Sequence, residues 1–278
     1  MYYDVPITQA GCTTLRRLVF AVQGLIPPES VNWEKVSEEQ YLVPAMKKAT
    51  FLNKTLTHSQ RLQKVKKYFK FMMVRNPLER LVSAYCDKLE HPITFSSSYN
   101  GSNIMLLYKN ELDSFEVHKR WILSQYRQAE LERWTESGGN YTLQPSFSDF
   151  VRWIVDSDDS RMNEHFASTI VNAQPCKIQY HFYANFKHYS RDARLLIQKL
   201  NIHPHYFVDH TSHEPGNETS TKLHYYYSQL SPQLKRDLFE HMFQELDFYY
   251  HLYPEEQWSH AELLGVTKPV LTQDLDSS

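Results

Sequence analysis

The chain has 278 residues, 41% of them apolar and 14% aromatic, enough to bury the core of one large domain or two small ones. With 30 basic against 32 acidic side chains the net charge is −2, so the whole-molecule balance does not direct the chain to nucleic acid. Seven glycines and no internal period exclude low complexity and repeat arrays, and three cysteines (Cys12, Cys86, Cys176) are too few for a disulfide framework and lack the paired spacing of a zinc site.

In chain order, residues 2–7 read as a short strand and 13–22 as a helix with Leu15, Leu18, Val19 and Val22 on one face. Residues 27–60 are mixed and polar, 60–68 a basic helix, and 69–74 a strand. A helix over 77–89 follows from Leu78, Leu81, Val82 and Tyr85 at i, i+3, i+4, i+7, with Pro77 suited to its first position. Residues 91–112, rich in Ser, Asn and Tyr, read as a surface excursion, and 116–134 as one long amphipathic helix. Ser146 with Asp149 three residues on starts a helix over 146–156. A strand at 178–182 and helices at 190–200 and 231–246 complete the pattern. The domain reading is a single catalytic domain over 1–256 with a loose polar tail over 257–278. Strands alternating with helices imply an α/β fold, a parallel sheet with helices on its faces.

Four glycosylation sequons begin at Asn53, Asn100, Asn140 and Asn217, tilting the chain toward a secretory lumen. The N-terminus has no basic leader and the apolar stretch at 18–26 is too short to span a bilayer. The chain thus reads as soluble or as a catalytic piece without its anchor.

In a parallel sheet, ligands bind outside the carboxyl ends of the strands. Two strand-to-helix junctions carry anion-binding chemistry. At the first, Gly11 and Cys12 give a small turn, Thr13 and Thr14 supply hydroxyls, and Arg16 and Arg17 supply charge at a helix start. An ordinary capped helix with exposed arginines is the alternative, and no Walker sequence is present. At the second, Arg75 leaves a strand, where its guanidinium can take a phosphate bidentately, and Ser83 follows two helical turns on. Here the alternative is a structural salt bridge at the sheet edge. Glu79 and Arg80 are expected to form an exposed pair.

The run Val74-Arg75-Asn76-Pro77-Leu78-Glu79-Arg80-Leu81-Val82-Ser83-Ala84-Tyr85 resembles the 3′-phosphate-binding segment of Golgi carbohydrate sulfotransferases, those acting on chondroitin, dermatan and the HNK-1 epitope. Gly11-Cys12-Thr13-Thr14-Leu15-Arg16-Arg17 is similar to the family's 5′-phosphosulfate loop. Residues 146–151 with Met162-Asn163-Glu164-His165-Phe166 resemble its acceptor-side segment, Pro175–Phe182 its Pro-Cys-x-Ile-x-Tyr-x-Phe strand, and Tyr227-Ser228-Gln229-Leu230 the opening of its last helix. The likeness runs in family order over residues 5–253.

The resemblance implies a three-layer sandwich around a central parallel sheet, like that of P-loop NTPases, and transfer of a sulfonate from PAPS to a glycan hydroxyl. Arg75 and Ser83 would then hold the donor's 3′-phosphate, and Gly11, Cys12, Thr13, Thr14, Arg16 and Arg17 its phosphosulfate. His165 is the candidate base for the acceptor hydroxyl, with Glu164 orienting it or acting instead; a packing or acceptor-binding histidine is the alternative. Lys88 and the basic residues of the 116–134 helix (Lys119, Arg120, Arg127, Arg133) could face an anionic glycan, although a solvated face fits them equally. The implied partners are an anionic or neutral glycan acceptor and, through an N-terminal anchor outside this sequence, a membrane; the implied place is the Golgi lumen. No motif calls for a metal.

The loop departs from the family at Gln9, where a lysine normally neutralises the leaving oxygen. Losing one such positioned group costs ~10²–10³ in rate. A catalytically weakened relative that binds PAP or glycan is therefore the alternative function, and a nucleotide kinase with a divergent loop a more distant one.

Overall fold

A computed structural model describes residues 2–4, 24, 57–90, 118–137, 144–159, 162–163, 165–202, 217–256 and 260–265. Among them a parallel sheet of order β1-β2-β3 is formed by β1 (Tyr2–Asp4), β2 (Phe69–Val74) and β3 (Phe182–Asn185). Phe71 is in register with Asp4 on one side and Phe182 on the other, so β2 is central. Its sequence FKFMMV is buried from Lys70 onward, the continuous burial that a strand covered on both faces requires. Even Lys70 is enclosed, its ammonium donating to the Tyr68 carbonyl at 3.1 Å.

The helices are α1 (His58–Lys67), α2 (Pro77–Tyr85), α3 (Gln128–Glu136), α4 (Phe147–Asp156), α5 (Thr169–Ala173), α6 (Tyr189–Lys199), α7 (Asn217–Ser228) and α8 (Pro232–Leu252), with a further helical stretch at 118–126. α2 starts where its sequence says it should. The Asn76 side chain accepts from the Leu78 N–H at 3.0 Å, and Pro77 occupies the first turn. Leu78, Leu81, Val82 and Tyr85 are all buried, and the helix continues into a π-helical turn, Cys86–Glu90.

The Ser146–Asp149 capping box forms as expected: the Ser146 hydroxyl oxygen accepts from the Asp149 N–H at 3.1 Å, and the Asp149 carboxylate accepts from the Ser146 N–H at 3.0 Å. Ser146→Ala should cost about 1 kcal/mol and lower Tm by about 2–4 °C in a calorimetric scan. Behind this cap, Phe147, Phe150 and Trp153 join Tyr85, Phe166, Tyr226 and Tyr227 in a ring cluster of tilted and edge-on contacts.

Four expectations are corrected. The helix over 116–134 is not continuous: the Arg127 backbone leaves the helical region (φ −144°, ψ 48°), and its guanidinium lies 3.7 Å from Asp149 on α4. The strand at 178–182 begins later. After α5 the chain turns through Gln174 (φ 47°), Ile178 N–H closes back on the Gln174 carbonyl, and the Tyr180 hydroxyl donates to the Ala173 carbonyl. Only from His181, whose N–H donates to the Lys70 carbonyl, does the chain join the sheet. The last helix runs to Leu252 rather than 246, since Tyr249 and Tyr250 extend its buried stripe. Finally, part of the stretch read as a loose tail is packed: Ala261–Leu264 forms a 3₁₀ turn with Leu263 and Leu264 in the core.

Candidate functional site

β1, β2 and β3 run parallel, so the chain leaves their carboxyl ends at one edge of the sheet, and Arg75 is the first residue after β2. Its side chain is 7% exposed and lies 3.6 Å from Glu79, one helical turn on. The guanidinium also sits 4.7 Å over the ring of Phe186, the residue that follows β3. The charge therefore lies along the carboxyl edge between β2 and β3. Burial pulls the Arg75 pKa below its ordinary value and Glu79 opposes the shift; a guanidinium stays protonated in either case. Burial pushes the Glu79 carboxyl up, but His260 and Arg75 outweigh it and hold the group below the usual carboxylate range. His260 Nε2 lies 3.5 Å from the other Glu79 oxygen.

The same edge is braced at β3. Asn185, fully buried, donates its backbone N–H to Asp192 at 2.7 Å and its side-chain amide to Glu256 at 2.9 Å. The Tyr249 hydroxyl on α8 donates to the second Glu256 oxygen at 2.8 Å. Ser83 is half-buried on α2, about 9 Å along the helix axis from Pro77 at 1.5 Å per residue. β1 pairs directly with β2 on the side away from β3, with its last residue Asp4 in register with Phe71, four residues before Arg75, and the first candidate anion-binding segment follows Asp4 in sequence. Gly11, Cys12, Thr13, Thr14, Arg16, Arg17 and Gln9 on that segment lie outside the described residues, as does Glu164.

His165 lies in a turn before α5. The Asn163 side-chain oxygen accepts from the His165 backbone N–H at 3.0 Å and lies 2.7 Å from its ring Nδ1. The turn is anchored by Phe166, whose buried ring packs against Phe150, Trp153 and His118. Three residues further, the Thr169 N–H donates to Glu245 at 2.9 Å.

That carboxylate overturns the expectation for Arg80. Arg80 is not an exposed partner of Glu79 but is buried, with Nη2 3.0 Å from Glu245 on α8, both side chains 3% exposed. Glu245 thus grips α2 with one oxygen and the start of α5, after the His165 turn, with the other. The missed signal is in the sequence: a carboxylate within the stripe Leu234, Leu238, Met242, Leu246, Tyr249 demands a buried donor. Lys119 is buried too, not solvated, while Lys88 pairs with Asp87 at 3.1 Å. His181 is a satisfied residue, its Nδ1 accepting from the Lys70 N–H at 3.0 Å. Cys86 and Cys176 are free thiols, and burial pushes Cys86 up to about 11. Among the described residues no cluster could hold a metal and no helix is long and apolar enough to cross a membrane.

A sequence model of the sulfotransferase family matches residues 5–253. Curated relatives include carbohydrate sulfotransferase 14 of Homo sapiens, 28% identical over 91% of this chain and 57% of its own length. Carbohydrate sulfotransferase 14 of Danio rerio is 28% identical over 63% of this chain and 41% of its own length. Carbohydrate sulfotransferase 8 of Mus musculus is 27% identical over 90% and 52%. The chain spans about half the length of these relatives. No solved structure matches. Nothing in these likenesses favours a weakened relative or a nucleotide kinase.

Proposed function

The chain belongs to the sulfotransferase family, and from that premise we propose that it transfers a sulfonate group from PAPS to a hydroxyl of a glycan. The observation that carries the reading is Arg75: a buried cation at the carboxyl edge of a parallel sheet, beside the exit of β3. A guanidinium so placed matches a phosphate in charge and in donor geometry. The sheet is read as the centre of a three-layer, P-loop-like sandwich within one catalytic domain over 1–256. Carbohydrate sulfotransferases are the named relatives, and with the four sequons they support work in the Golgi lumen.

PAPS, when bound, supplies the sulfonate and departs as PAP. Arg75 and Ser83 hold the 3′-phosphate. Gly11, Cys12, Thr13 and Thr14 present N–H and hydroxyl donors to the phosphosulfate, while Arg16 and Arg17 stabilise the charge that builds on the leaving oxygen. The acceptor oxygen forms the new bond to sulfur as the bond from sulfur to the bridging oxygen breaks, its electron pair leaving with PAP. The acceptor proton goes to His165, with Glu164 orienting that ring or taking the proton itself.

Labelled PAPS with chondroitin, dermatan and terminal-glucuronate acceptors should give transfer, and PAP, not ATP, should raise Tm. His165→Gln should lower kcat ~10²–10⁴-fold with PAP affinity unchanged. PAP binding with no transfer to any acceptor removes the enzymatic reading.

A further inference from the structure

We infer that Asn163 is a positioning residue: it fixes His165 as the Nδ1–H tautomer and leaves Nε2 with the lone pair that receives the acceptor proton. The inference rests on His165 being the base. Its ground is the two contacts of one atom. The Asn163 side-chain atom that receives the His165 backbone N–H at 3.0 Å must be the amide oxygen, because a backbone N–H only donates. The amide orientation is thereby set by the main chain and not by the ring. An amide oxygen in turn only accepts, so Nδ1 at 2.7 Å from it carries the proton. The opposite tautomer would set the Nδ1 lone pair against those of the oxygen. A neutral imidazole has one N–H, and Nε2 is left as the acceptor.

The asparagine is built in. Its backbone carbonyl accepts from the N–H groups of Phe166 at 2.9 Å and Ala167 at 3.0 Å. Phe166 and Ala167 are both 1% exposed, so the turn is clamped to the aromatic core. An orienting acceptor on one imidazole nitrogen and a reactive lone pair on the other is the arrangement a general base needs.

The tautomer is read from long-range ¹H–¹⁵N correlations of uniformly labelled protein at alkaline pH, with His165 assigned by its loss in His165→Gln. Wild type should show a protonated Nδ1 and an Nε2 that carries no proton. Asn163→Ala should move the pattern toward Nε2–H and lower kcat about 10–100-fold, with KM for PAPS and acceptor within about twofold. Asn163→Asp keeps an oxygen in place and should keep both the tautomer and most of kcat. An Nε2–H pattern in wild type overturns the inference, as does Asn163→Ala with unchanged spectrum and kcat. If Asn163→Ala fails to fold, the wild-type and Asn163→Asp spectra decide. Should PAP bind without any transfer, the catalytic reading falls, while the spectra separately decide the tautomer.

Discussion

Arg75→Ala is expected to weaken PAP binding about 100-fold in a calorimetric titration. The size follows from removing charge-assisted hydrogen bonds worth about 1.5–3 kcal/mol each, since about 2.7 kcal/mol is a hundredfold. Arg75→Lys should restore little, because an ammonium cannot reproduce the planar fork. Folding should suffer less than binding. The cation is already costly to bury, and its partner Glu79 keeps a contact with His260. With Arg75 gone, one of the influences holding the Glu79 carboxyl low is lost, so its pKa should rise toward the ordinary range. PAP affinity equal to wild type in Arg75→Ala would remove the donor-site assignment.

Glu245→Ala should be the most destabilising of these changes, by about 3–5 kcal/mol, because it strands Arg80 as an uncompensated charge in the interior. For a domain of this size the fall in Tm is about 6–20 °C. It also removes the acceptor of the Thr169 N–H at the start of α5. Glu245→Gln retains that acceptor and should cost less. The pair Arg80→Met with Glu245→Leu should recover much of the loss, since matched apolar groups leave no buried charge. The double-mutant cycle gives the check: additive effects of the two single changes would mean that Arg80 and Glu245 do not interact.

The sequence is most legible where local rules and burial agree. β2 is read residue for residue because a strand covered on both faces is nearly continuously apolar, here interrupted only by Lys70. The start of α2 is announced by Asn76-Pro77 and that of α4 by Ser146 and Asp149, since caps are local chemistry. The failures are long-range. Nothing near Arg127 signals a break, which coincides with a contact to Asp149 on α4. Likewise the late start of β3 follows from Tyr180 being tied back to Ala173. The burial of Arg80 is not legible locally, because its partner is 165 residues away. In the site, Arg75 and Ser83 are legible from a strand exit and the helix after it, with resemblance to a family motif adding the 3′-phosphate, while His165 comes from that resemblance. Asn163 is not legible in that way, because its relation to His165 lies in the geometry of two contacts and not in residue type.

The double grip of Glu245 bears on how such chains can be recombined. Its oxygens link α2, which carries Ser83, with the start of α5, four residues beyond His165. A graft of residues 162–173 from a relative into this chain would have to dock on the resident carboxylate. A graft that also replaced α8 would have to meet the resident Arg80. The natural unit of exchange is therefore the set α2, α5 and α8 together, and drift at position 245 is checked by two separate segments at once.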